Sequence, residues 1–273
     1  MIPLFAIAIV IALFGYFVLR VRFHDQASTY YNSAEYDRAL SVYNRLVRFY
    51  PRDAAAYRNR ALVQMQRGQP DAALADFNAA IERSPRDIGL RMERATLYTQ
   101  LKRFEEADVE YERLTQISPQ NPQVYLNRAW YYIKADNLDA ALQNIDRAEA
   151  HIVTLHDKRD EFGPRMKEAE INQFLTQQTI QALSLKAAVF TRKGRFEEAV
   201  DTYQAAIEQA PHDATLYNDL AETYIAAEAY DRALALFDQA ESHLTRGGEA
   251  PPQTMSGQTM QQFIIAGRAV AKF

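Results

Sequence analysis

The sequence predicts an all-α solenoid of helix–turn–helix repeats preceded by one transmembrane helix. Three observations predict it. Two alanine series run in step at 34-residue intervals, Ala27, Ala61, Ala95, Ala129, Ala187 and Ala221 with Ala39, Ala73, Ala107, Ala141, Ala199 and Ala233, broken once by a spacing of 58. Between these alanines apolar residues return every three or four positions, the spacing of one helix face. The first 19 residues carry no charged side chain at all.

The apolar start comes first. Twelve residues of positions 2–19 are large and apolar: Ile2, Leu4, Phe5, Ile7, Ile9, Val10, Ile11, Leu13, Phe14, Phe17, Val18 and Leu19. As a helix the run is roughly 27 Å long, close to the hydrocarbon thickness of a bilayer. At ~0.3–0.6 kcal/mol per residue, these twelve favour insertion by about 5 kcal/mol. A cleavable leader needs a basic start and a small-x-small site, and neither is present. Residues 1–22 therefore read as a retained anchor in contact with membrane lipid. Arg20 and Arg22, with Arg38 beyond, follow the run and no Lys or Arg precedes it. The positive-inside bias then places the chain in the cell (inner) membrane, single-pass, with the repeats on the cytoplasmic side.

Four units occupy residues 20–155 and two occupy 180–246. Aromatics follow the second alanine series by four residues, as Tyr43, Phe77, Tyr111, Tyr203 and Phe237, with Ile145 in the fourth place. Pro51, Pro85, Pro119 and Pro211 close four units. Proline lacks an amide N–H and restricts the residue before it, so it ends a helix. Small alanines let two helices approach closely, and the aromatic fills space against the next unit.

Tyr57, Ala61, Gly68, Ala73, Phe77, Ala80 and Pro85 in the second unit, and Tyr217, Ala221, Tyr224, Ala233, Phe237 and Ala240 in the sixth, match a known spacing. On these residues the chain resembles the tetratricopeptide repeat family. It departs from the pattern at Arg60, Arg94 and Arg128, where leucine is usual, and at Arg91 and Gln64 in aromatic places. Arg60 and Arg94 precede Asp76 and Glu110 by 16 residues, whereas Asn144 stands in that place after Arg128. The arginine column reads either as stems buried against such acids or as a row for phosphate or carboxylate groups.

Residues 156–179 account for the 24 extra positions. The fourth unit has no closing proline, so its second helix can run on toward Phe162, turn at Gly163-Pro164, and return. The extra residues then divide about evenly between two lengthened helices, projecting ~16–18 Å; a separate short helix with loops is the alternative. The hairpin is a spacer between units or a docking spur whose tip carries Phe162, Arg165 and Met166. Residues 247–258, with Gly247-Gly248 and Pro251-Pro252, read as a linker. In 259–273, Met260, Phe263, Ile264 and Val270 recur at helical spacing, as a capping helix or a docking element.

Catalysis finds no support. There is no cysteine, and no phosphate-binding glycine loop, nucleophile elbow or H-E-x-x-H occurs. His151 and His156 are five apart, off the shared face that paired metal ligands need. A net charge of −4 argues against nucleic acid. No catalytic residue, metal, cofactor or small-molecule substrate is implied.

The family resemblance implies a concave groove lined by first helices that receives protein partners. Its groove places correspond to Arg58, Asn59, Leu62, Met92, Glu93, Leu126, Asn127, Trp130 and Lys134, with Asn218, Asp219 and Glu222 in the last unit. Arg58 with Leu62 and Glu93 does not resemble the family's carboxylate clamp. Leu62, Met92, Leu126 and Trp130 offer apolar contacts. Trp130, the single tryptophan, reads either as a partner anchor or as packing between units.

Together these readings imply a non-enzymatic, membrane-anchored scaffold that assembles or regulates a membrane or envelope complex. A constitutive structural subunit of a large membrane complex, or an assembly chaperone of the same fold on the exported side, are the alternatives. The architecture resembles that of certain bacterial envelope-assembly regulators. Those carry a cysteine metal module that this chain lacks, so their role is not carried over.

Overall fold

A computed structural model describes residues 4–158, 167–245 and Ala269, with side chains described from Phe14 to Lys158, from Lys167 to His243, and at Ala269. The described residues form twelve α-helices and no strand. They divide into two compact units, Met1–Ile117 and Ser118–Phe273.

The first unit contains α1 (Leu4–Asn32), α2 (Tyr36–Phe49), α3 (Ala54–Gln66), α4 (Pro70–Arg83), α5 (Ile88–Gln100) and α6 (Phe104–Ile117). The second contains α7 (Pro122–Lys134), α8 (Leu138–Asp157), α9 (Glu168–Arg192), α10 (Phe196–Gln209), α11 (Ala214–Ala226) and α12 (Tyr230–Thr245). Within each unit successive helices pair as antiparallel neighbours, α1 with α2, α3 with α4, and so on.

The alanine series explain this pairing. All twelve alanines are 0% exposed, because each sits where two helices cross. Tyr43, Phe77, Tyr111, Ile145, Tyr203 and Phe237 are buried beside them. Each such side chain contributes roughly 1.5–3 kcal/mol by leaving water. Asp53, Asp87, Asn121 and Asp213 follow the closing prolines by two residues and cap α3, α5, α7 and α11 through their side-chain oxygens. The turn inside every repeat needs one left-handed residue. Ala34, Gly68, Lys102, Asp136, Gly194 and Glu228 supply it, with φ between 58° and 71°. Only two are glycine, the residue this conformation costs least.

α1 is a single helix from Leu4 to Asn32, so the apolar start and the first repeat helix are continuous. Its middle is tied to the turn before α3. Tyr16 and Tyr50 rings lie 4.3 Å apart, Tyr50 donates to the Tyr16 carbonyl at 2.9 Å, and Tyr16 donates to the Phe49 carbonyl at 3.1 Å. Arg20 Nε donates to Asp53 Oδ2 at 2.5 Å, and His24 Nε2 lies 2.8 Å from the same oxygen. Burial pushes the Asp53 carboxyl up, but the His24 and Arg20 contacts outweigh it and hold the group well below the usual range. Among the described side chains no helix is long and apolar enough to cross a membrane. Residues 1–13, which hold eight of the twelve expected anchor side chains (Ile2, Leu4, Phe5, Ile7, Ile9, Val10, Ile11, Leu13), lie outside them. Of the others, Phe14, Phe17 and Leu19 are exposed and Val18 is partly exposed.

The break in the period is helix extension, divided unevenly. α8 has 20 residues against 14 in α10, and α9 has 25 against 13 in α11. The sequence pattern predicts an even split. The longer share falls to α9 because the Glu170 carboxylate, which accepts from the Lys167 N–H at 3.2 Å, stabilises an early start. Ile152 and Leu155 of α8 pack in one cluster with Ile171 and Leu175 of α9. Replacing Ile171 by aspartate is expected to open this extension alone. Amide exchange should then rise together over residues 150–157 and 168–176 while the remaining helices keep their protection. The proposed tip residues Phe162, Arg165 and Met166, and the linker and cap expected over 247–273, fall outside the described residues apart from Ala269, which is helical and exposed.

Candidate functional site: the first-helix face

In the first unit, α3 and α5 present the expected groove residues. Arg58 Nε donates to both Glu93 oxygens, at 2.9 and 2.8 Å, so these two places are joined to one another. Arg58 also reaches Asn59 Oδ1 at 3.4 Å. Leu62 is partly buried against a cluster that includes Phe77 and Leu97. Met92 is partly exposed.

The arginine column lies deeper. Arg60 makes a two-pronged bridge to Asp76, at 2.7 and 2.6 Å. Arg94 Nη2 and Arg91 Nη1 both donate to Glu110, at 2.5 and 3.1 Å. Arg91 is 7% exposed and stands where other repeats have tyrosine. Its Nη2 lies 3.5 Å from the Pro85 carbonyl, the bond that Tyr125 and Tyr217 make to Pro119 and Pro211 at 2.8 and 3.0 Å. Arg91 thus replaces that tyrosine and adds a second cation to Glu110. With their acids paired, Arg60, Arg91 and Arg94 are structural, and they leave no row of free guanidinium groups for a ligand. Arg128 differs: its guanidinium stacks over Tyr132 at 5.4 Å, and Asn144 turns its amide to the Ala140 carbonyl.

In the second unit the face of α7 holds Trp130 partly exposed, with Lys134 Nζ 5.6 Å from the ring centre. Leu126 is a correction. It is fully buried in the cluster closed by α7, α8 and α9, with Ala182 and Ile133, because neighbouring first helices meet over that position. It cannot line a groove. A network of amides stands beside it: Gln123 Nε2 donates to Asn127 at 2.8 Å and to Gln181 at 3.2 Å, while Gln178 donates back to Gln123 at 2.8 Å. Gln123, Gln178 and Gln181 escaped sequence reasoning, since glutamine on a helix carries no spacing signal. Val153 and Phe174, on the two extended helices, are 59% and 41% exposed.

α11 carries an acidic pair. Burial, followed by the charge of Glu222, pushes the Asp219 carboxyl up to about 6. A raised acid withdraws stability as pH climbs through its range, since the folded state then holds a disfavoured charge. Asp219→Asn is expected to stabilise the second unit by about 1–3 kcal/mol at pH 8. That gain should disappear near pH 4, as thermal melts at the two pH values will show.

Two family models described as tetratricopeptide repeat match the chain, one over residues 27–88 and the other over 64–115 and 190–245. Together they cover more than half of its length. The chain belongs to the tetratricopeptide repeat family. That family is generally a non-catalytic, protein-binding fold. Comparison with curated proteins gives no significant match. Among solved structures, a tetratricopeptide repeat protein from Parabacteroides merdae aligns with a TM-score of 0.59 at 18% identity, over 93% of this chain and 92% of that one. Yeast Tom70 aligns at 0.59 and 18% identity, over 86% of this chain but only 44% of its own length. PilW, a widely conserved type IV pilus biogenesis factor, aligns at 0.54 and 17% identity, over 80% of this chain and 87% of that one. At such identities the likeness establishes the tetratricopeptide fold. The alignments span both compact units.

Proposed function

We propose that this tetratricopeptide repeat protein is a non-enzymatic scaffold anchored in a membrane by the start of α1. It binds protein partners on its first-helix faces to assemble or regulate a membrane or envelope complex. The continuity of α1 carries the reading. One helix runs from a charge-free start into the first repeat, and Tyr16, Arg20 and His24 fasten it to Tyr50 and Asp53. An anchor so joined leaves the first repeats little freedom to swing away from the bilayer. Arg20 and Arg22 just after the apolar run favour the cytoplasmic side of the cell membrane for the array.

The partly exposed Trp130, flanked by Lys134, is the strongest candidate contact for a partner, since tryptophan is enriched among interface hot spots. Val153 and Phe174 support the extended α8–α9 pair as a second contact. Purification of the full chain in mild detergent tests the scaffold reading. A partner retained in wild type and lost on Trp130→Ala supports it. A set of proteins held at constant ratio regardless of Trp130 identifies a fixed structural subunit instead. A reporter fused after Phe273 and active only when exported would reverse the topology.

A further inference from the structure

We infer that one edge of the first unit docks on anionic phospholipid headgroups. This inference rests on the proposed anchor. If residues 2–19 fill the hydrocarbon, Arg20 stands at headgroup depth. Arg20 Nε lies 2.5 Å from Asp53, which sets the α2–α3 turn at the same depth. The α4–α5 turn lies alongside, because Arg83 Nε donates to the Pro51 carbonyl at 2.6 Å. Arg20, Arg52, Asp53, Ser84 and Asp87 line one open cleft of about 600 Å³.

This edge presents unneutralised cations. Arg22, Arg48, Arg52 and Arg86 are exposed, and among the described residues none has an acidic partner. The acids nearby are occupied: Asp53 by Arg20, His24 and the Ala56 N–H, and Asp87 by the Gly89 and Leu90 N–H groups. Two further acids near this edge are exposed: Glu82, 4.0 Å from Arg83, and Asp25, three residues from Arg22. Phe49, 58% exposed beside Tyr16, adds an apolar side chain of the kind that interfacial segments bury at the headgroup boundary. The opposite edge of the same unit differs. There Arg38 pairs with Glu35, Arg67 with Asp37, and Arg103 with Glu106. On the edge level with Arg20 four exposed arginines lack an acid, whereas among the described residues of the edge away from it Lys102 alone does, which is the asymmetry an anionic surface selects. Phosphate oxygens accept the guanidinium fork in two-pronged geometry, so arginine suits the task.

The chain has no cysteine, so single labels report position cleanly. Full-length protein carrying Ala55→Cys, or Ser33→Cys on the opposite edge, is labelled with a fluorophore. It is then reconstituted into vesicles of phosphatidylcholine alone, or with one third phosphatidylglycerol, each containing headgroup spin labels. Quenching at position 55 should rise with phosphatidylglycerol, position 33 should not respond, and high salt should reverse the effect. Replacing Arg48, Arg52 and Arg86 by glutamine should lower the contact equilibrium roughly fivefold per arginine. Lysine at the same places should retain most of it. Quenching equal in the two vesicles, or unchanged in the glutamine variant, would overturn the proposal and leave the anchor intact. A chain that enters neither vesicle would overturn the anchor reading itself.

Discussion

Replacing Glu110 by alanine is expected to destabilise the first unit by about 3–5 kcal/mol, the cost of leaving buried cations without their acid. Arg91 and Arg94 both donate to this one carboxylate, and Glu110 and Arg91 are each 7% exposed. Arg94 retains Asn78, and Arg91 retains only the long approach to the Pro85 carbonyl, so neither charge finds another acid. Glu110→Gln keeps the hydrogen-bonding shape, loses the charge, and should fall between wild type and alanine. The converse change is equally informative. A triple substitution, Arg91→Tyr, Arg94→Leu and Glu110→Leu, restores the aromatic and the leucine usual at the two arginine places, removes their acid with them, and should cost little or even stabilise, because apolar packing often replaces a buried ion cluster without loss. Urea titrations of the four proteins test this order.

The second large effect separates two neighbours on α7. Leu126→Ala is expected to cost about 2–5 kcal/mol, since it empties a fully buried site among Ile133, Ala182 and Val189. Trp130→Ala, one turn further on, removes a partly exposed ring stacked by Lys134. It should cost less than about 1 kcal/mol in stability, with partner capture falling instead. If Trp130→Ala unfolded the second unit and Leu126→Ala did not, the assignment of core and contact on this helix would be reversed.

Much of this arrangement was legible in the sequence for a physical reason. A repeat presents the same contact again and again, so a residue type that survives at one place in every unit reports its environment. The two alanine series and the aromatic series are such columns, and all twelve alanines are fully buried. The Arg60–Asp76 and Arg94–Glu110 pairs were legible too, because a fixed helix pairing brings positions 16 apart together. What was hidden depends on single repeats. Leu126 sits at a nominal groove place, yet α9 closes over it. The left-handed turn residue repeats in all six units, but alanine, lysine, aspartate or glutamate fills it in four, so glycine marks it only at Gly68 and Gly194. The amide network around Gln123 and Gln178 links side chains 55 residues apart, beyond any periodic signal.

The acidic end of the second unit and the basic edge of the first give the molecule a charge pattern that its net charge of −4 conceals. Asp219 and Glu222 lie on α11, while Arg48, Arg52 and Arg86 flank the α2–α3 and α4–α5 turns.

Accessibility along α1 tests the central claim most directly. Full-length protein carrying Val10→Cys or Ser33→Cys is reconstituted into sealed vesicles and exposed to a membrane-impermeant maleimide. An anchored scaffold predicts that position 10 stays unlabelled until detergent is added, while position 33, in the turn after α1, reacts at once on every outward-facing molecule. Equal labelling of the two positions in intact vesicles would contradict it.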